Sequence, residues 1–199
     1  MGQNRLAAPK KKAATMNAHI VFIDESGLMM APVVRRTWAP RGKTPILKQV
    51  GRDYKKVSVI AALVVSPQRR RVRLCFSMHT NNNITGFRVV RFLSHMRRMI
   101  KGPILLIWDR SNTHRAKIVQ RYFDANPGAV RSFFPPYAPE LNPVEPFWAW
   151  LKTNPLANWA APDVHVLQKT ARYHAKVVQN RPKLLCSFLY ATPLFLRPK

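Results

Sequence analysis

Two aspartates close short apolar runs in this sequence: HIVFIDES carries Asp24 and PILLIWDR carries Asp109. A third acid, Glu145, follows an asparagine and a proline in FFPPYAPELNPVEPFWAWLK, residues 133–152. Acids are scarce here, eight Asp and Glu against thirty-four Lys and Arg, so three in such marked settings ask for a chemical reason. Three carboxylates brought together repel one another unless a hard divalent cation, which takes oxygen ligands, neutralises them. Two such ions set close together activate a water or a DNA hydroxyl on one side of a phosphodiester and stabilise the leaving oxygen on the other.

The elements that must position these acids follow from hydrophobic period. Residues 19–26 form a continuous apolar run that suits a strand buried on both faces. Residues 55–66 and 70–80 flank the turn signal SPQ and read as an antiparallel pair. Over 85–100 the period becomes helical: Phe87, Val90, Leu93, Met96 and Ile100 make an apolar stripe, with Arg88, Arg91, His95 and Arg98 beside it. A buried strand at 103–110 ends in Asp109, a helix at 114–126 turns Ile118, Tyr122 and Phe123 to the core, and a strand follows at 129–134. From residue 152 to about 190 the chain reads as helical. This order predicts a mixed sheet with helices on its faces, because parallel strands need crossover connections. Asp24 and Asp109 then share the C-terminal strand edge, where open α/β sheets build sites.

Each acid also has a plainer reading. Aspartate is a common turn former after a strand, and Glu25 points to the face opposite Asp24 by the period of two. Asn142, Pro143 and Glu145 have the spacing of a capping box, with Asn at the N-cap and Glu three residues on. Against this, Val144, Phe147, Trp148 and Leu151 give the next helix an apolar face that would hold its first turn rigidly, while Glu145 and Lys152 share another face.

The formal charge of +26 points to a polyanionic partner, nucleic acid first among them. Cys75 and Cys186 stand alone, with no CxxC and no ligand cluster, which fits a reducing cytoplasm. No apolar run reaches the roughly 18 residues of a membrane span. Residues 1–18, with their Lys10–Lys12 run, read as a basic linker ahead of a catalytic unit at 19–155 and a C-terminal helical extension at 156–199.

FIDES, LLIWDRSNTH and FFPPYAPELNPVEPFWAWLK, in that order, resemble the catalytic core of mariner-like transposases of the bacterial insertion-sequence branch. Thirty-five residues lie between Asp109 and Glu145, close to the interval of that branch. The resemblance implies a ribonuclease-H-like five-stranded mixed sheet with helices on both faces, and an Asp24–Asp109–Glu145 triad holding two divalent ions, Mg²⁺ or Mn²⁺. It implies metal-dependent cleavage of double-stranded DNA and strand transfer, by a homodimer at paired ends. It gives Asn112, His114, Arg110 and Lys152 supporting or DNA-contacting roles and leaves Glu140 to brace the turn. The family's N-terminal helix-turn-helix modules have no counterpart before the first strand, so an upstream-encoded DNA-reading part joined by frameshifting is expected. An inactive DNA-binding remnant is the alternative, and a nuclease of the same fold that cuts without joining is a third reading.

Overall fold

The computed structural model describes residues 7–47 and 55–194. Five strands make one sheet: β1 (His19–Met29), β2 (Lys56–Val65), β3 (Val72–Thr80), β4 (Ile104–Trp108) and β5 (Ala129–Phe133), in the order β3-β2-β1-β4-β5. The first three pair antiparallel, and β4 and β5 add parallel to β1. The uninterrupted apolar stretches become the interior of this sheet: every residue of β4 and nine of the ten in β2 are buried. A strand covered on both faces needs apolar side chains at successive positions rather than alternate ones.

Helices cover both faces. On one lie α2 (Gly86–Met99) and α3 (Lys117–Asp124), around Val21, Ile23, Ile60, Leu106 and Trp108. On the other lie α4 (Glu145–Thr153), α5 (Val164–Gln179) and α6 (Pro182–Tyr190), over Phe22, Leu28, Val59 and Leu63. α5 and α6 pack on β3, and α5 closes its edge twice. Gln168 and Gln179 donate side-chain N–H groups to the Met78 and Leu74 carbonyls at 3.1 and 2.8 Å, which removes acceptors from an edge open to stray pairing.

Three sequence expectations change. The basic linker is a helix in part, α1 (Ala7–Thr15), whose Ala13 is buried in the core; residues 1–6 of that segment and 195–199 of the C-terminal extension lie outside the described residues. Alanine favours helix, and Ala13 gives it a side chain small enough to pack. In α2 the buried residues are Val89, Phe92, Leu93 and Met96, while Phe87 is 65% exposed. In α3, Val119 and Phe123 face inward and Ile118 outward. In both helices the apolar residues occupy more than one face's width, so period alone left the rotation about the axis ambiguous.

Candidate active site

Strand register brings the two aspartates together. β1 pairs parallel with β4 through Phe22 and Ile107, so two residues further along each chain Asp24 and Asp109 stand at the same level. Asp109 follows the last residue of β4, as expected, but Asp24 does not end its strand: β1 continues to Met29 and Asp24 lies opposite Ala61 of β2. β1 goes on pairing with β2 after its partnership with β4 has ended, which exposes one side of Asp24 at the point where β4 stops.

The proline-rich segment then delivers the third acid. Phe134 bonds back to Trp108 O, and a 3-10 turn at Pro139–Leu141 leads into α4. The capping box does not form: Glu145 is the first helical residue, and its N–H bonds to the Asn142 carbonyl. Asn142 instead ties the turn to the sheet. Its Oδ1 accepts from Val144 N at 3.2 Å and its Nδ2 reaches Ile23 O at 3.4 Å, next to Asp24. Val144, Phe147, Trp148 and Leu151 are all buried, as their spacing predicts, each large side chain contributing about 1.5–3 kcal/mol relative to exposure. The helix start is thereby clamped from its side chains and from its turn.

Asp24, Asp109 and Glu145 line one open pocket of about 460 Å³, with Arg110, Tyr137 and Asn142 among its other walls. Tyr137, fully exposed, has φ of 54°, a left-handed conformation unusual for an aromatic residue. Burial first, then the charge of Glu145, pushes Asp24 up to about 7, while Trp148 opposes this by donating Nε1–H to Asp24 Oδ2 at 2.7 Å. Asp109 is held below the ordinary carboxylate range, chiefly by its hydrogen bond from His114. His114 is wholly buried and stacks on Trp108 at 4.1 Å. Its Nδ1 lies 2.7 Å from Asp109 Oδ1 and its Nε2 2.9 Å from Glu25 Oε1. Burial would lower its pKa, but the two carboxylates raise it to about 9, so the ring is a cation at neutral pH.

The donor set fits a hard divalent cation: three carboxylates, one of them destabilised as an anion by burial and then by the other acids beside it. Among the described residues the acids are not gathered into a ready-made metal cluster; Asp24 is turned to Trp148 and Asp109 to His114 and Ser111 N. Among the described residues, the donors to Asp24 meet Oδ2 and those to Asp109 meet Oδ1.

The profile of the DDE superfamily endonuclease family matches residues 19–168. The chain belongs to that family. Mos1 mariner structures share its fold: the Mos1 transposase paired-end complex with left transposon end superposes with a TM-score of 0.67 at 13% identity, covering 98% of this chain and 58% of that one. The Mos1 mariner paired end complexes with Mn and with Mg superpose at TM-scores of 0.65 and 0.64, with 14% and 12% identity, 96% and 95% of this chain and 56% and 58% of theirs. The chain thus spans little more than half the length of these structures. No curated protein sequence matches it. At such identity the likeness establishes the ribonuclease-H-like, mariner-type fold.

The other residues singled out in this DDE domain divide. Arg110 lines the pocket and lies over the Phe133 ring at 5.7 Å. Lys152 is committed elsewhere, donating to Ser26 Oγ at 2.8 Å, and Asn112 accepts from Arg115 at 2.6 Å outside the pocket. Glu140 is exposed in the 3-10 turn. Sequence reasoning missed Trp148 as a partner of Asp24 and Glu25 as the far end of the His114 link. Glu25 does point to the opposite face, as the period of two requires; nothing local reveals that His114 connects that face to Asp109.

Proposed function

We propose that the chain is the catalytic part of an insertion-sequence transposase that cleaves DNA with divalent cations and transfers the cut strand. The observation that supports this best is the meeting of Asp24, Asp109 and Glu145 in one pocket, delivered by three separate elements of a domain in the DDE endonuclease family. Mg²⁺ or Mn²⁺, two ions in this reading, would be held by those three acids, as Mos1 complexes with Mn and Mg suggest. When bound, such ions supply Lewis acidity and lower the pKa of a bound water or hydroxyl.

The protein's own part is positioning. Trp148 engages Oδ2 of Asp24 and leaves Oδ1 for a cation. His114 and Ser111 N engage Oδ1 of Asp109 and leave Oδ2. Arg110, at the rim, is placed to meet a DNA phosphate. Double-stranded DNA is the partner in this reading, the element's ends first and the target second, which the +26 charge favours. A homodimer at paired ends belongs to the same proposal, as does an upstream-encoded helix-turn-helix part that reads the terminal repeats. So does a cytoplasmic site of action; among the described residues no helix is long and apolar enough to cross a membrane.

The test is nicking and joining of DNA bearing the element's ends, with Mg²⁺ or Mn²⁺, by the chain alone and fused to any upstream-encoded module. Activity in the wild type that is lost in both Asp24→Asn and Glu145→Gln supports the proposal. Binding without cutting in either format overturns it and leaves a basic DNA-binding remnant; cutting without joining leaves a nuclease.

A further inference from the structure

A groove rich in arginine lies on the α2 face of the sheet, built from residues the three acids do not use. α2 turns Val89, Phe92, Leu93 and Met96 to the sheet, which gathers Arg88, Arg91, His95 and Arg98 along one flank at spacings of three and four. That flank and the edge strand β3 enclose an open groove of about 610 Å³. Ser77 and His79 supply its β3 side, Phe87 stands 65% exposed in its wall, and among the described residues no Asp or Glu lines it.

Two features point to a ligand. Arg88 Nη1 is buried with no hydrogen-bond acceptor, and a buried cationic donor left unpaired is costly until an anionic oxygen completes it. His79 does not compete for that anion. Its Nε2 is shared with Ser77 Oγ at 3.1 Å, and burial, then Arg88, Arg91 and Arg172, hold its pKa down. The charge in the groove is therefore permanent guanidinium charge, with an aromatic ring beside it on which a base or sugar stacks.

The groove is also in the right place. Gly86 at its head packs on the start of α3, where an added Cβ would meet Ala116 at 3.0 Å, two residues beyond His114. At its far end a second basin carries Arg70, Arg71, Arg73 and Lys101. Arg88 and Arg98 are separated by about 15 Å along the helix axis, which matches roughly four phosphates of one DNA strand.

We propose that the β3–α2 groove is a second DNA-backbone site, which holds a DNA segment continuing away from the catalytic pocket. The choice of DNA as the polyanion rests on the transposase reading. The test is equilibrium binding by fluorescence anisotropy, in EDTA and over a range of KCl, using the full chain with labelled duplex DNA, single-stranded DNA and RNA. Combined Arg88→Gln, Arg91→Gln and Arg98→Gln should weaken DNA binding roughly tenfold or more and reduce the salt slope by about 2 to 3. Combined Lys169→Gln, Lys176→Gln and Lys183→Gln, on α5 and α6, removes the same charge and should change the slope far less. Should the triple arginine variant melt early, Arg91→Glu, at an exposed position, gives the same comparison without touching a buried group. Equal losses in both triples, wild-type binding in the groove triple, or a loss confined to RNA overturns the proposal. EDTA leaves no free divalent cation in this assay, so a chain that binds through the groove and never cuts fails the cleavage reading alone. One that cuts while the groove triple binds like wild type fails this proposal alone.

Discussion

Asp24 and Asp109 stand level on neighbouring parallel strands, yet the two faces of the sheet hold them in opposite ways. From the α4 side, Asp24 receives one neutral donor, the Trp148 indole, and burial beside Glu145 pushes it up to about 7. From the α3 side, Asp109 receives a buried imidazolium that is itself braced by Glu25, and its pKa falls. The first acid is poised to gain from a cation; the second is already an anion that the protein has oriented. The difference shows how one fold obtains two carboxylates of different character from the same strand level: the neighbour, neutral or charged, decides.

The comparison breaks first at the chemistry. Asp24→Asn and Glu145→Gln should each reduce metal-dependent DNA cleavage by about 10³-fold or more, in the range expected when a ligand to a catalytic ion is lost. Gel assays that find wild-type rates in Asp24→Asn would remove it from the ligand set. Next in size is the clamp on Asp109. His114→Ala should cost about 3 kcal/mol or more in urea unfolding, since it leaves the carboxylates of Glu25 and Asp109 without their shared cation and opens a void against Trp108. Trp148→Phe, which keeps an aromatic side chain but removes the donor to Asp24 and leaves a small void, should cost about 2 kcal/mol. Equal effects of these two substitutions would mean that the faces do not differ as described.

pH sharpens the contrast. Asp24 has a folded pKa of about 7 against an ordinary 3.8, so between those values the native state binds more protons than the unfolded one. Stability from this group therefore falls as pH rises from about 4 to about 7. His114, raised from 6.5 to about 9, contributes stability that is complete below about 6.5 and fades as pH rises through about 9. Thermal melts in EDTA should show the first slope flattened by Asp24→Asn and the second by His114→Gln; slopes unchanged in both variants would reject the assignment. The smallest effect is expected at Lys152, whose bond to Ser26 lies on β1 beyond Asp24. Lys152→Met should cost about 1 kcal/mol or less and leave cleavage within about threefold, and a larger loss of cleavage would return Lys152 to the supporting or DNA-contacting role that the resemblance implied.

Much of this site was legible in the residues. Apolar runs ending in Asp24 and Asp109 announced buried strands and their C-terminal edge, and Asn-Pro-Val-Glu before an apolar face announced a fixed helix start. Local reading failed where a contact depended on a distant element. The capping box was a sound inference from spacing, but Asn142 Oδ1 accepts from Val144 N while its Nδ2 turns to Ile23 O of β1, and the helix begins at Glu145 instead. Phe87 counted as core because it fell on the helical period, while the sheet selected the neighbouring face of Val89 and Phe92.

The sequence by itself determined the five strands and most of the helices, that the protein favours a polyanion, and that three scarce acids stand at marked points of those elements. These follow from side-chain period, charge and turn chemistry, which are properties of near neighbours. Only the tertiary structure decided that Asp24 lies inside a longer strand, that Trp148 and His114 set the two aspartates apart, and that Glu25 acts from the opposite face. Period assigns a side chain to a face; which residue it meets there depends on strand register and helix rotation, and these are settled by the packing of residues up to 126 positions apart.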